Sequence, residues 1–383
     1  MKKILLVSKI NDINGGAGNQ AYTYASSFER VLRELGHDVC AFNCKRNFLL
    51  FGPCDHDKLS YIYKKINNFF VNYRLKKQAL AYQPDIVFFI KAENITHKTI
   101  KFIKYFFKKN IKIFNFYPDN PFSFWNGNSN KNILLSLPVY DCFLIWSKQL
   151  VPVLMAAGCK DVYYFPFAYD ENLFKQDIRI TSADQTLYAS DICFIGTWDA
   201  DREFWLTQLC QNVHVNFALW GNSWDENLAL SSILRKYLRG PAIYSQDMIK
   251  AFSCSKINLN FVRTQNMSSH NMRTFEVLAS GAFLLTQRTQ EQIEAPFEEG
   301  GNIECFGTHD ELVKKIAFYL KNDTIRKNIA CAGRVIAVRD FTLQGKLTKF
   351  FEYLDLVKVN TECKGSRNDE VNKKTEDRNT FDP

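Results

Sequence analysis

The sequence has no apolar run approaching the ~20 residues that cross a bilayer. Its opening, MKKILLVSKI, places two lysines ahead of an apolar run that covers only Ile4 to Val7. That run is too short for the hydrophobic region of a signal peptide, so the expected compartment is the cytoplasm. Glycine (17) and proline (10) are scarce among 383 residues, which excludes collagen-like and low-complexity chains. The cysteines, eleven in number and scattered in spacing, form no Cys-x-x-Cys pair. Neither a zinc site nor a disulfide framework is signalled, and they read as small buried hydrophobes in a reducing compartment. Gly-x-x-x-x-Gly-Lys-Ser/Thr, Gly-x-Ser-x-Gly and His-Glu-x-x-His are all missing. P-loop, hydrolase-elbow and zincin chemistries are thereby excluded.

What is present is globular: 46% hydrophobic residues, 33 Phe and 17 Tyr, in a length that favours two domains. The net charge of +9 favours anionic partners such as sugar nucleotides or phospholipid head groups. No nucleic-acid motif accompanies it, so nucleic acid is not an expected partner. Two basic, aromatic stretches, 61–77 and 101–112, read either as solvated faces of ordinary helices or as peripheral contacts with an anionic membrane at its inner face.

Hydrophobic periodicity alternates strand and helix. Strands are predicted at 3–10, 38–43, 86–90, 111–116, 141–146 and 162–166, with helices at 59–82, 99–109 and 149–157 between them. Another helix carries Ala21, Ala25, Phe28, Val31, Leu32 and Leu35 on one face and stops at Gly36. The polar stretch 169–189 reads as a linker. The pattern restarts with strands at 191–195, 215–220, 257–261 and 282–286 and helices at 203–210, 271–280 and 310–320. The fold class is therefore α/β, with two Rossmann-like, doubly wound domains facing a central cleft. The expected organisation is an N-terminal domain over 1–170, a linker over 171–190 and a second domain over 191–340. A C-terminal helix over 341–359, packing back on the N-terminal domain, and a disordered tail over 360–383 complete it.

The loop 14–19 holds Gly15, Gly16 and Gly18 between the first strand and first helix, where backbone N–H groups can approach a phosphate. As a dinucleotide fingerprint it fits poorly, because the glycines begin late and the second strand ends in Asn43-Cys44 without an acid. The segment 266–286 is more informative. Arg273 and Glu276 stand three apart near a helix start, an arrangement equally suited to a surface ion pair or to a nucleotide. In the second reading, the carboxylate accepts ribose hydroxyls while the arginine and helix N-terminus meet a pyrophosphate.

From Asp191 to Leu354 several segments occur in a characteristic order. They are Cys193-Phe194-Ile195-Gly196-Thr197-Trp198 with Arg202, Leu219-Trp220-Gly221-Asn222-Ser223-Trp224, Ser255 to Asn260, Asn271 to Thr286, and Glu298-Glu299-Gly300-Gly301 before His309-Asp310-Glu311-Leu312. In this the chain resembles the donor-binding domain of CgeB-like bacterial glycosyltransferases of the GT-B group. Gly15-Gly16, Leu35 to Val39, Pro84 to Val87 and Tyr117-Pro118-Asp119-Asn120-Pro121 resemble their N-terminal half. The resemblance implies a transferase, hexosyltransferase-like, that moves a sugar from a nucleoside-diphosphate donor to a hydroxyl of a cell-envelope glycan, lipid or protein. Glu276 matches the second glutamate of the retaining enzymes' paired-glutamate motif and so implies a ribose contact. The first falls at Ser268, which leaves both stereochemical outcomes open. Gly16, Gly196 and Thr197 match phosphate-facing loops, and Trp198, Gly221, His270, Arg273 and Thr274 complete the implied donor set. The catalytic base is sought at Asp119 first, then at Asp12 and His97, with Lys91 as a phosphate or acceptor contact. No cofactor and no metal is expected beyond the nucleotide-sugar co-substrate. The rival readings are an epimerase or hydrolase of the same fold, a non-catalytic nucleotide-sugar-binding protein, and an NAD(P) enzyme.

Overall fold

The computed structural model describes residues 1–9, 24–45, 57–108, 111–124, 129–174, 178–266 and 268–356. Asp12, the loop with Gly16 and the tail 360–383 lie outside the described residues.

The first half builds a six-stranded sheet. Its strands are β1 (Lys3–Ser8), β2 (Asp38–Asn43), β3 (Ile86–Ile90), β4 (Lys112–Tyr117), β5 (Cys142–Ile145) and β6 (Val162–Tyr164), in the order β2-β1-β3-β4-β5-β6. Every pairing is parallel. Runs such as ILLV and IVFFI have no polar face to show to water, so helices must cover both sides. The helices are α1 (Tyr24–Glu34), α2 (Asp57–Tyr82), α3 (His97–Phe107), α4 (Lys131–Ser136) and α5 (Leu150–Ala156). Phe28 of α1 is fully buried and seats α1 on the sheet, its ring 5.7 Å from Phe88, 5.4 Å from Phe116 and 6.1 Å from Phe165.

The second half repeats the plan. Strands β7 (Ser190–Ile195), β8 (Phe217–Trp220), β9 (Leu238–Gly240), β10 (Ser255–Asn260), β11 (Leu284–Gln287) and β12 (Glu304–Phe306) run parallel in the order β12-β11-β10-β7-β8-β9. Its helices are α6 (Ser182–Tyr188), α7 (Ala200–Asn212), α8 (Trp224–Asn227), α9 (Ser245–Cys254), α10 (Met272–Ala279), α11 (His309–Lys321) and α12 (Asp323–Asp340). The stretch read as a linker is not irregular throughout. Residues 182–188 form α6, because Thr181 and Asp184 close a capping box and Asp184 pairs with Lys250 of α9 at 2.9 Å.

The chain passes between the domains twice, and the two crossings pair. Tyr169 donates its N–H to Phe341 O (3.1 Å), and Leu343 N–H returns to Tyr169 O (2.9 Å). Residues 343–356 are helical and lie on the first sheet. Phe350 meets Phe114 at 5.2 Å and Tyr163 at 5.2 Å, and the Tyr353 hydroxyl donates to Asp161 at 2.9 Å. The nine described cysteines are free thiols, six of them buried among the sheets and helices with Cys40, Cys254 and Cys331 more open.

Candidate functional site

In each sheet, strand order reverses beside the domain's first strand, and the crevice at such a reversal is where doubly wound folds bind ligands. In the second domain the reversal lies between β7 and β10. A cavity of about 360 Å³ opens there, walled by Ile195 and Gly196 at the end of β7 and Asn260 at the end of β10. Leu173 and Phe174, from the first crossing between domains, form part of its wall. The first residues of two helices, Ser245 of α9 and Met272-Arg273 of α10, also line it. Helix N-termini present unsatisfied N–H groups and a positive dipole end, so the cavity favours an anion.

Cationic side chains sharpen that preference. Arg273 donates to Glu276 at 2.6 Å, the pair being three residues apart on α10. Glu276 is only 6% exposed and faces the cavity. Arg202, at the start of α7, donates to two backbone carbonyls, Thr197 O (2.8 Å) and Phe261 O (3.4 Å). No carboxylate lies within ion-pair distance of it among the described residues. Burial, with Arg263 nearby, pulls its pKa down to about 10, so it stays protonated at neutral pH. The lining also has an apolar and aromatic part, Ile243, Tyr244 and Met248, the last with its sulfur 2.6 Å from Arg273 Nη1.

A buried amide network holds the end of β10 in place. Asn260 Nδ2 donates to Thr286 Oγ1 (3.0 Å) and Thr274 Oγ1 (3.4 Å), while Asn271 Nδ2 donates to Asn260 Oδ1 (2.9 Å). Asn271 also caps α10 through Thr274 N–H. The loop after β7 is held by a close backbone approach. The Trp224 Nε1–H donates to Gly196 O at 2.7 Å, and a Cβ added to Gly221 would stand 1.9 Å from that same oxygen.

The residues singled out in the sequence are thus not all in one place. Gly196, Thr197, Arg273 and Glu276 line the cavity. Gly221 lies behind it and shapes the Gly196 loop. Thr274 is fully buried and belongs to the amide network. Trp198 turns away and donates to Glu203 at 2.7 Å. His270 is 3% exposed, with its ring 5.3 Å from Phe275 and 5.2 Å from Phe297. Burial first, then Lys148, holds its pKa down at about 3. It is neutral and walled off from the cavity, so the role expected of it as a diphosphate cation is corrected.

On the facing domain, Lys91 and Asp119 follow β3 and β4 and pair at 2.6 Å, both partly exposed. Lys91 and Ala92 both have positive φ, 61° and 50°. His97 opens α3 behind the Thr96 cap and is not a wall residue of the cavity. Sequence reading passed over Arg202 as a site residue, together with Asn260, Arg263, Asn271 and the Ala242–Ser245 loop. Arg202 carried the one usable signal, an arginine just after a glycine-containing strand end. The chain also holds two Asp-x-Asp pairs. Asp55 and Asp57 lie outside the described side chains. Asp199 caps α7 and reaches Arg263 at 3.3 Å, and no group of three metal-ligating side chains occurs among the described residues.

Residues 202–352 match a family model described as glycosyl transferase-like. No curated protein matches the chain in sequence. Solved structures resemble it over nearly its whole length. Sucrose-phosphate synthase from Thermosynechococcus elongatus aligns with a TM-score of 0.66 at 12% identity, covering 94% of this chain and 100% of its own. HepE of Anabaena, solved in complex with UDP-glucose, gives 0.62 at 13% identity, covering 93% and 100%. A trehalose 6-phosphate synthase from Burkholderia multivorans gives 0.59 at 11%, covering 95% and 98%. The arrangement of the two domains is the GT-B fold.

Proposed function

We propose that this protein is a glycosyltransferase that takes a sugar from a nucleoside diphosphate bound on its second domain and passes it to a hydroxyl acceptor held against the first. The observation that carries the reading is the cavity at the β7–β10 reversal. It combines a buried carboxylate, three guanidinium groups (Arg202, Arg263 and Arg273) and two helix N-termini beside an apolar wall. Those are the groups a nucleotide diphosphate needs. One oxygen of Glu276 is taken by Arg273, which leaves the other to accept from ribose hydroxyls. Ile243, Tyr244 and Met248 offer a surface for a base. Arg202 and Arg273, with the N–H groups of the Gly196-Thr197 loop and of α10, neutralise the charge that grows on the departing diphosphate. The UDP-sugar bound by HepE and the family match over 202–352 support the same reading. Closure of the two domains would bring the acceptor hydroxyl to the anomeric carbon and exclude water. Asp119 is our candidate to receive the hydroxyl proton, once substrate draws Lys91 away from it. The neutralising cations make a metal unnecessary in this scheme.

The test is a thermal-shift screen against UDP-, GDP-, CDP- and dTDP-sugars and NAD(P). A ligand that binds only the native state raises the melting temperature. One nucleotide-sugar series should stabilise the protein, and Glu276→Ala and Arg202→Gln should each weaken its binding by about ten-fold or more, the loss of ~1.4 kcal/mol. Stabilisation by NAD(P) alone, or unchanged donor binding in both variants, would overturn the assignment.

A further inference from the structure

The first domain carries an aromatic surface that its own fold does not use. α2 is 26 residues long and seats itself on the sheet through Val71, Leu75 and Ala79, all fully buried. Phe69 at 68% and Tyr73 at 46% are exposed on the side turned away from that seat, and Tyr61, on the seating stripe but in the turns before the seat begins, is 68% exposed. α3 continues the surface with Tyr105 at 87% and Phe106 at 55%. Lys76 of α2 lies over the Phe102 ring of α3 at 5.0 Å and joins the two helices. Large aromatics in contiguous exposure mark a surface for something else to bind.

Charge says what that something is. The two helices together carry nine lysines and arginines against a single acid, Asp57. Lys104 is engaged with Asp141, but Lys64 and Lys65 stand exposed beside the aromatics. A helix face with tyrosine and phenylalanine flanked by lysines lies flat in the head-group region of an anionic bilayer. The rings enter the acyl boundary and the ammonium groups reach lipid phosphates.

Position agrees. Asn72 accepts from Thr96 N–H at 2.9 Å and donates to Asn94 O at 3.0 Å. α2 therefore meets the loop after β3 at Asn72 and, one turn earlier, at Asn68, whose Oδ1 accepts from Asn94 Nδ2 at 3.5 Å. The turns before it extend past the carboxyl edge of the sheet, the edge that borders the cleft. The overhanging turns, with Tyr61, stand at that edge, while α3 runs from the loop after β3 towards the start of β4 and carries Tyr105 and Phe106 towards the opposite edge, so the surface extends along the flank of the domain.

We infer that the exposed α2–α3 face is a docking surface for an anionic lipid bilayer, which holds the protein peripherally by the flank of its first domain. The inference does not depend on the reaction proposed above. Vesicle flotation of the full chain tests it, with phosphatidylcholine vesicles made with and without phosphatidylglycerol. The protein should float with the phosphatidylglycerol vesicles at least about ten-fold more than with phosphatidylcholine alone, and the excess should fade as salt screens the lysines. The Phe69→Ser/Tyr105→Ser pair, both exposed, should lose that excess with no change in melting temperature. Lys64→Glu/Lys65→Glu should lose its salt-sensitive part. No preference for phosphatidylglycerol, or full retention by the Phe69→Ser/Tyr105→Ser variant, overturns the inference. So does a dimer in light scattering that the same variant dissociates, since the occupant would then be a second copy.

Discussion

At the scale of single residues, the contrast between His270 and Arg202 shows how environment decides a role. Both can carry positive charge near a diphosphate. Arg202 keeps its charge because two carbonyls accept from it and the cavity admits water. His270 gives its charge up because aromatic rings enclose it and Nδ1 finds no partner. This makes a pH-dependent prediction whose sign is fixed by linkage. In the folded protein the imidazole binds a proton only near pH 3, against 6.5 in the unfolded chain. Below 6.5 the unfolded state therefore holds the extra proton, and stability falls as pH falls, towards a limit at the folded value. The slope approaches about 1.4 kcal/mol per unit. Urea unfolding from about pH 7 to about pH 5 should show His270→Leu losing about 2 kcal/mol less than the parent. Equal slopes would mean that the imidazole is solvated in the native state.

Elements hold the site by their ends, and the tightest of these is the Gly196 loop. Gly221→Ala would drive a Cβ into Gly196 O and displace the loop that carries Thr197 and the Arg202 contact. We expect donor affinity to fall by about ten-fold or more, with a lower melting temperature. Gly36→Ala is the control. It ends α1 at φ 83° with open space around it, so it should cost only about 1 kcal/mol of stability and leave donor binding alone. Calorimetric titration with the stabilising nucleotide sugar separates the two.

The same scale explains what could be read in advance. Strands β1 and β3 announce themselves as apolar runs, β10 by the alternation of Ile257 and Leu259 with asparagines, and α1, α10 and α11 as stripes. α12 does not, because its buried face is Ala330, Gly333 and Ala337 with Ile329 and Arg326. Those small residues are there for closeness: a Cβ on Gly333 would meet Asn302 O and Leu278, each at 2.6 Å. β9 has three residues, too few for any period, and α6 rests on a capping box within a polar stretch. Of the site, the Arg273–Glu276 spacing was visible because a helix fixes it. The wall from Ala242 to Met248 was not, because only the fold brings it to the end of β10. Glu299 and Glu311, prominent in the motif segments, turn out to clamp Arg288 at 2.5 Å each and serve the packing of α11.

At the scale of the molecule, a cleft enzyme needs two bodies that can close and a contact that sets how far apart they rest. The paired crossings at Tyr169 and Leu343 supply the pivot. The resting contact is made by Glu291, which is 4% exposed and belongs to the second domain. Its carboxylate accepts from Lys148 N–H (3.1 Å) and the Tyr164 hydroxyl (2.8 Å) of the first domain, and from the neighbouring Ser269 hydroxyl (2.9 Å). Lys148 adds an exposed pair with Glu294 at 2.7 Å. The buried group matters far more than the exposed one, since solvent screens a surface ion pair to a median near zero to ~1 kcal/mol. Removing the carboxylate takes the acceptor from two partly buried donors, the Lys148 N–H and the Tyr164 hydroxyl, while the buried Ser269 hydroxyl keeps Trp146 O at 3.1 Å; a buried donor left unpaired costs ~1–3 kcal/mol. Glu291→Ala should therefore loosen the domains against each other while each keeps its own core. Solution scattering should show a larger radius of gyration, and unfolding should cost roughly 2–4 kcal/mol less. Lys148→Ala, which leaves the backbone donor in place, should change neither by more than about 0.5 kcal/mol. If Glu291→Ala scatters like the parent, the crossings alone set the resting cleft. Glu291 would then be a packing residue of the second domain.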